Sequence, residues 1–184
     1  IDQVSPYWGS STGNLAEYLT SEGYSVGVAS VGPFSSTWDR TCELYAELTG
    51  TKVDYGEAHS KAHGHERYGR EYTSETAIAQ NWGSKTKKGQ RIKVNLVGHS
   101  FGGETVRLLA SLLAYGDDDE KAATGKETSE LFTGGKADWV NSVTTLCSPH
   151  NGSTLFYVVD QGKLVNTVLG LVYAASGLAR VTGR

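Results

Sequence analysis

The stretch Val94-Asn95-Leu96-Val97-Gly98-His99-Ser100-Phe101-Gly102-Gly103 decides how the chain is read. Upstream, Ile92, Val94 and Leu96 alternate and Val97 extends the apolar run, the pattern of a buried strand across 91–97. Downstream, Val106, Leu109, Ala110 and Leu113 recur on one face of a helix that Gly116 ends. Between strand and helix lies Gly-x-Ser-x-Gly without a spacer. Small residues two positions either side of the serine let the backbone fold into a sharp turn that exposes the hydroxyl, which is what a nucleophile elbow demands. Ser100 is therefore the candidate nucleophile for an ester carbonyl. The amide of Phe101, at the helix start, is the candidate donor to the oxyanion that forms.

The same alternation of strand and helix runs outward from this turn. Ser11 or Thr12 can cap a helix carrying Leu15, Tyr18 and Leu19, which Gly23 ends, and 24–31 reads as a short strand. Ser36 or Thr37 opens a second helix with Cys42, Tyr45 and Leu48, ended by Gly50. From 51 to 90 the periodicity lapses into an excursion holding three of the five histidines. The acidic run Asp117-Asp118-Asp119-Glu120 lacks the alternating ligands of a calcium loop, so 116–136 reads as a solvated loop. A strand is expected over 139–147, and a one-sided apolar helix over 162–180. Alternating elements of this kind predict an α/β fold with a mostly parallel sheet.

Composition narrows the function. The 184 residues carry a net charge of −3, which offers no electrostatic case for nucleic acid, and no apolar run has the roughly 18 residues a membrane span requires. Cys42 and Cys147 belong to no CxxC pair and read as free core thiols. The stretch 98–105 has neither GxGxxG nor a lysine after its glycines, so a nucleotide phosphate has no cradle. A chain opening at Ile1 with no methionine is expected to have lost its beginning.

A base and an acid for Ser100 are harder to find. The order Ser100, Asp138, His150 matches that of α/β hydrolases. Asp138, however, begins the strand that ends near Cys147, roughly 25 to 30 Å from the serine at 3.3 Å per residue, and is excluded. His150 lies at the correct edge and is kept as an alternative base, although Asp160 follows it rather than preceding it and no carboxylate is placed to orient it.

At this point the sequence resembles the zinc-containing secreted lipases of Gram-positive bacteria, the staphylococcal and thermoalkalophilic bacillary group, with their clostridial polyesterase relatives. The matching stretches are Tyr7-Trp8-Gly9, GPFSSTWDRTCELY at 32–45, VDYGEAHSKAHGHERYG at 53–69, 97–109 around the elbow, and SVTTLCSPHNG at 142–152. The resemblance implies an α/β-hydrolase fold with a small zinc-binding extra domain, within about 37–90. It implies a carboxylic ester hydrolase of the triacylglycerol lipase or polyesterase type, secreted and acting on hydrophobic esters at a lipid or polymer interface. By motif, Asp39, His59 and His65 correspond to three ligands of a structural zinc. Spacing alone would favour His59 and His63, at i and i+4, were it not for Gly64, which weakens that helix.

The departures are also informative. Nothing before Tyr7 resembles the His-Gly turn that supplies the family's second oxyanion donor. The family's catalytic aspartate, catalytic histidine and fourth zinc ligand come from its C-terminal half, so the chain is expected to be an N-terminal-half fragment, with 162–180 in the place of the lid. The alternative is a zinc-binding piece that does not turn over.

Overall fold

A computed structural model describes residues 7–9, 13–33 and 35–153. The expected helix over 162–180 and Asp160 lie outside them. The chain divides into two compact units, Ile1–Val28 with Asn151–Arg184, and Ala29–His150.

In the first unit, helix α1 spans Leu15–Ser21. Its cap is Asn14, whose side chain accepts from the amides of Ala16 and Glu17 and donates to the Glu17 carboxylate at 2.9 Å. This corrects the expectation of Ser11 or Thr12: an asparagine one residue before the first turn reaches two of its unpaired amides.

The second unit is built around two longer helices and two small sheets. Helix α2, Thr37–Thr49, is capped by Ser36 and stopped by Gly50 in the left-handed region, as the sequence predicts. It buries Thr41, Cys42, Leu44, Tyr45, Ala46 and Leu48. Helix α4, Phe101–Tyr115, packs across it with Val106, Leu109, Leu112 and Leu113. Between them in sequence come strand β1 (Lys52–Asp54), helix α3 (Glu57–His63), strand β2 (Tyr68–Glu71) and strand β3 (Val94–His99). After α4 follow helix α5 (Asp118–Thr124), helix α6 (Glu130–Thr133) and strand β4 (Val140–Leu146). Strand β3 pairs with β4 in parallel, in a register that sets His99 against Leu146, and β1 pairs with β2 antiparallel. Among the described residues these are two two-stranded sheets, one of each kind, rather than a single parallel one.

Several expectations change. The stretch 24–31 is not a strand. Within the second unit its end is held by carboxylates of α2, with Glu47 accepting from the Ser30 amide at 2.9 Å and Glu43 from the Gly32 amide at 2.5 Å. Those bonds replace a strand partner. The excursion at 51–90 contains α3 and a β-ribbon whose strands of three and four residues are too short to show alternation in sequence. Gly64 does not weaken α3 but ends it, in the left-handed conformation that terminates helices. Most of the solvated loop at 116–136 is helical: Asp117 caps α5, and α6 sends Leu131 and Phe132 into the core. Cys42 is buried and Cys147 is exposed, both free, so only the first is a core thiol. Val97 is 51% exposed, so β3 is buried on one face only.

Candidate active site and metal centre

Ser100 occupies the tip of the turn between β3 and α4. Its φ of 54° and ψ of −128° place a non-glycine residue in a costly region of backbone space. Two bonds hold it there: the Ser100 amide donates to the Leu146 carbonyl at 2.9 Å, and the Gly103 amide to the Ser100 carbonyl at 3.0 Å. Its hydroxyl makes no capping bond to the helix. Phe101 is the first residue of α4, and amides in a first turn have no partner within the helix. An anion beside that N–H would also gain from the helix dipole.

The glycines around the serine are not equivalent. A Cβ on Gly98 would lie 2.3 Å from the Gly102 carbonyl oxygen, and one on Gly103 would overlap the Ser148 side chain at 1.8 Å. At Gly102, the second glycine of the motif, a Cβ would meet nothing within 4 Å among the described residues. The close approach that matters after the serine is made at Gly103, where α4 crosses the end of β4.

His150 is near this edge, but its Nε2 contacts Thr145 Oγ1 at 3.1 Å. No carboxylate bonds it among the described residues. Asp138 sits in a 3-10 turn just before β4, at the far end from Ser100, and its Oδ2 accepts from Arg91 Nε at 2.8 Å. Hydrogen bonding to Arg91 holds its carboxyl below the usual range. Its exclusion as the catalytic acid agrees with this placement.

The second constellation gathers Asp39 from the first turn of α2, His59 from α3, and His65 just beyond the α3 terminator. Their ligand atoms all lie within 4.8 Å of one another. Both imidazole Nε2 atoms face the same carboxylate oxygen, Asp39 Oδ1, at 3.1 Å for His59 and 3.8 Å for His65. Four ligands at zinc bond lengths of about 2.0 to 2.1 Å stand about 3.3 Å apart, and these two distances bracket that value. His63 is close, with its ring centroid 4.4 Å from that of His59, but it is outside the converging set.

His65 Nδ1 lies 2.9 Å from the Glu66 carbonyl oxygen and donates to it, which turns Nε2 toward the Asp39 carboxylate oxygen. Burial lowers the proton affinity of His59, against the pull of Asp39, with His63 and His65 adding to the lowering. A neutral imidazole is the form that binds a metal. Oxygen and nitrogen donors in this ratio suit zinc, and three protein ligands leave one position for another donor.

The surroundings fix these three side chains. The indole of Trp38 stacks on His59 at 5.0 Å and on Phe132 of α6 at 5.3 Å. Trp38 Nε1 donates to the Tyr55 carbonyl at 2.7 Å. Below α3, Arg67 forks onto Asp54 with bonds of 2.9 and 2.8 Å, and Asp54 Oδ1 also accepts from the Gly56 amide at 2.9 Å. A residue that sequence reasoning missed is Glu120. It was assigned to a solvated acidic run, yet it is 2% exposed, and its carboxylate reaches the amides of Ala58 and His59. The one available signal was Asp117 three residues earlier, whose side chain accepts from the Glu120 amide as a helix cap.

Comparison with known proteins follows the same lines. The family model described as lipase-like, C-terminal domain, matches residues 2–178. Lipase 2 of Staphylococcus aureus is 47% identical over 150 residues, covering 80% of this chain and 20% of that protein. The structure of lipase 1 from Pelosinus fermentans matches with a TM-score of 0.85 at 43% identity, covering 96% of this chain and 44% of that one. EstA from Clostridium botulinum matches at 0.80 and 40%, covering 95% and 38%. The chain thus spans about a fifth of the staphylococcal lipase and less than half of the two solved proteins. With a match over nearly its whole length, the chain belongs to the lipase-like, C-terminal domain family.

Proposed function

We propose that this chain is the nucleophile-bearing part of a secreted serine carboxylic ester hydrolase with the α/β-hydrolase fold, acting on hydrophobic esters at a lipid or polymer interface. The observation that carries this reading is Ser100 held at φ 54° between the end of β3 and the start of α4. A strained serine on a strand-to-helix turn is what an exposed nucleophile requires. Its relatives carry names that fit: lipase in the staphylococcal and Pelosinus proteins.

In the proposed reaction, Ser100 Oγ attacks the ester carbonyl and gives its proton to a histidine base. The alcohol leaves as the acyl-enzyme forms, and water then releases the acid. The Phe101 amide stabilises the oxyanion. Asp39, His59 and His65 would hold a structural zinc, which would supply no reaction step but would tie α2 to α3. Among the described residues no helix is long and apolar enough to cross a membrane.

The decisive experiment treats the protein with a fluorophosphonate probe and assays a chromogenic short-chain ester beside Ser100→Ala. Labelling and turnover that vanish in the variant support the hydrolase. A wild-type protein that neither labels nor turns over leaves the zinc-binding reading alone.

A further inference from the structure

The metal reading leaves one question of construction: what sets the rotation of α3, a helix of only seven residues. So short a helix is not stable alone, and its conformation is decided by what it touches. Its N-cap, Gly56, has no side chain, so nothing local satisfies the first amides.

Two of those amides, of Ala58 and His59, are satisfied from 62 and 61 residues away. Glu120 Oε1 accepts from the His59 amide at 2.7 Å, and Oε2 from the Ala58 amide at 3.0 Å. Both oxygens of one carboxylate are spent on consecutive N–H groups, one of which belongs to a candidate metal ligand. The backbone is shaped to admit it: Gly56 has φ +90°, and a Cβ there would lie 2.3 Å from the Glu120 carboxyl carbon. The far end is fixed too, since Asp117 Oδ1 receives the Glu120 amide at 3.0 Å. His59 is consequently gripped twice, at its backbone by α5 and at its ring by Asp39 and Trp38.

We propose that Glu120 is a positioning residue of the metal centre, which caps α3 from α5 and so holds the His59 imidazole at the angle the cation needs. The inference rests on the assignment of Asp39, His59 and His65 as metal ligands. It separates Glu120 from its acidic neighbours: Asp117 caps α5 and Asp118 pairs with Lys121 on the surface, whereas Glu120 alone of the run turns toward the ligands.

The test measures zinc binding by the full chain in competition with a chelator, together with the visible spectrum of the Co2+-substituted protein and the thermal unfolding of the metal-free form. Glu120→Gln keeps the shape but sets an NH2 group against one of the two amides, and Glu120→Asp shortens the arm. Either variant, in a metal-free form that still unfolds cooperatively, is expected to bind zinc about 10 to 100 times more weakly, as for outer-shell partners elsewhere, and to shift the Co2+ bands. Gly56→Ala, which pushes the carboxylate away from the other side, should do the same.

Zinc affinity and Co2+ spectra unchanged in these variants, with only a lower unfolding temperature, would overturn the inference by reducing Glu120 to a helix cap. That result leaves the metal site standing if wild-type protein binds one zinc and His59→Ala does not. A wild-type protein that binds no zinc overturns both.

Discussion

The hydroxyl of Thr41 in α2 lies 3.2 Å from the carbonyl oxygen of Thr105 in α4 and 2.7 Å from that of Thr37, sharing one proton between two helices. Thr41 is wholly buried. The bond sits two residues past Asp39 and five past Ser100, so it fastens the helix that carries a candidate metal ligand to the helix that follows the candidate nucleophile.

Thr41→Val keeps the shape and removes the bond. A buried hydrogen bond contributes about 1 kcal/mol and its loss leaves an acceptor less satisfied, so the variant should be destabilised by about 1 to 2 kcal/mol in urea unfolding. Thr41→Ala should lose more, because it also opens a cavity. Equal stability of Thr41→Val and wild type would show that the contact carries no weight.

The three glycines of the elbow should separate cleanly. Gly98→Ala forces the turn apart at 2.3 Å from backbone, and Gly103→Ala drives α4 off the end of β4. A displacement near 1 Å at a nucleophile costs on the order of 100-fold in rate, and both variants should lose about that much of the proposed ester hydrolysis. Gly102→Ala, with open space around its Cβ, should retain activity within about twofold. Fluorophosphonate labelling rates rank the three directly.

Alkaline pH should destabilise the second unit. Burial raises the phenol of Tyr45 well above its ordinary value, with Glu130 adding to it, and burial likewise raises the Cys42 thiol, with Asp39 the next cause. In the unfolded chain these groups ionise near pH 10 and 8.5; in the folded chain they stay protonated. The folded state then binds more protons, and stability falls as pH rises through those values, by up to about 1.4 kcal/mol per pH unit for each group. Tyr45→Phe should flatten the decline above about pH 10, as read from urea midpoints at pH 7 to 11. An unchanged slope would mean that Tyr45 ionises in the folded protein.

Zinc should stabilise the fold by mass action. At a free concentration 1,000 times its dissociation constant, a ligand bound only by the native state adds about 4 kcal/mol. Chelation should accordingly lower the unfolding temperature of wild type by several degrees, and His65→Ala should show no such response. Calorimetry with and without chelator decides it.

What sequence made legible follows from where the information lies. Helices α2 and α4 were readable because their apolar periodicity, caps and stops are local: Ser36, Gly50 and Gly116 stand where they were expected. The turn at Ser100 was readable because strand, glycine and helix are contiguous. Choosing His65 over His63 was not derivable from spacing; a helix that ends at His63 lets the chain turn through Gly64 and brings the next histidine back to Asp39. Glu120 was hidden for a different reason. Apart from the Asp117 cap three residues before it, nothing in its own neighbourhood distinguishes it from Asp118 or Asp119, and its contact with the amides of α3 appears only when α5 meets α3. The β-ribbon was invisible because seven residues in two strands carry too little pattern.

The stack of Trp38 on His59 has an optical consequence. An indole whose face lies against an imidazole feels that ring's charge in its excited state, so its emission responds to whether the ring is bare, protonated or bound to a cation. Trp82 and Trp139 pack against each other instead, at 5.5 Å. The second unit thus carries a label-free reporter of His59: Trp38 emission is expected to change on adding zinc to the metal-free protein and to revert with a chelator.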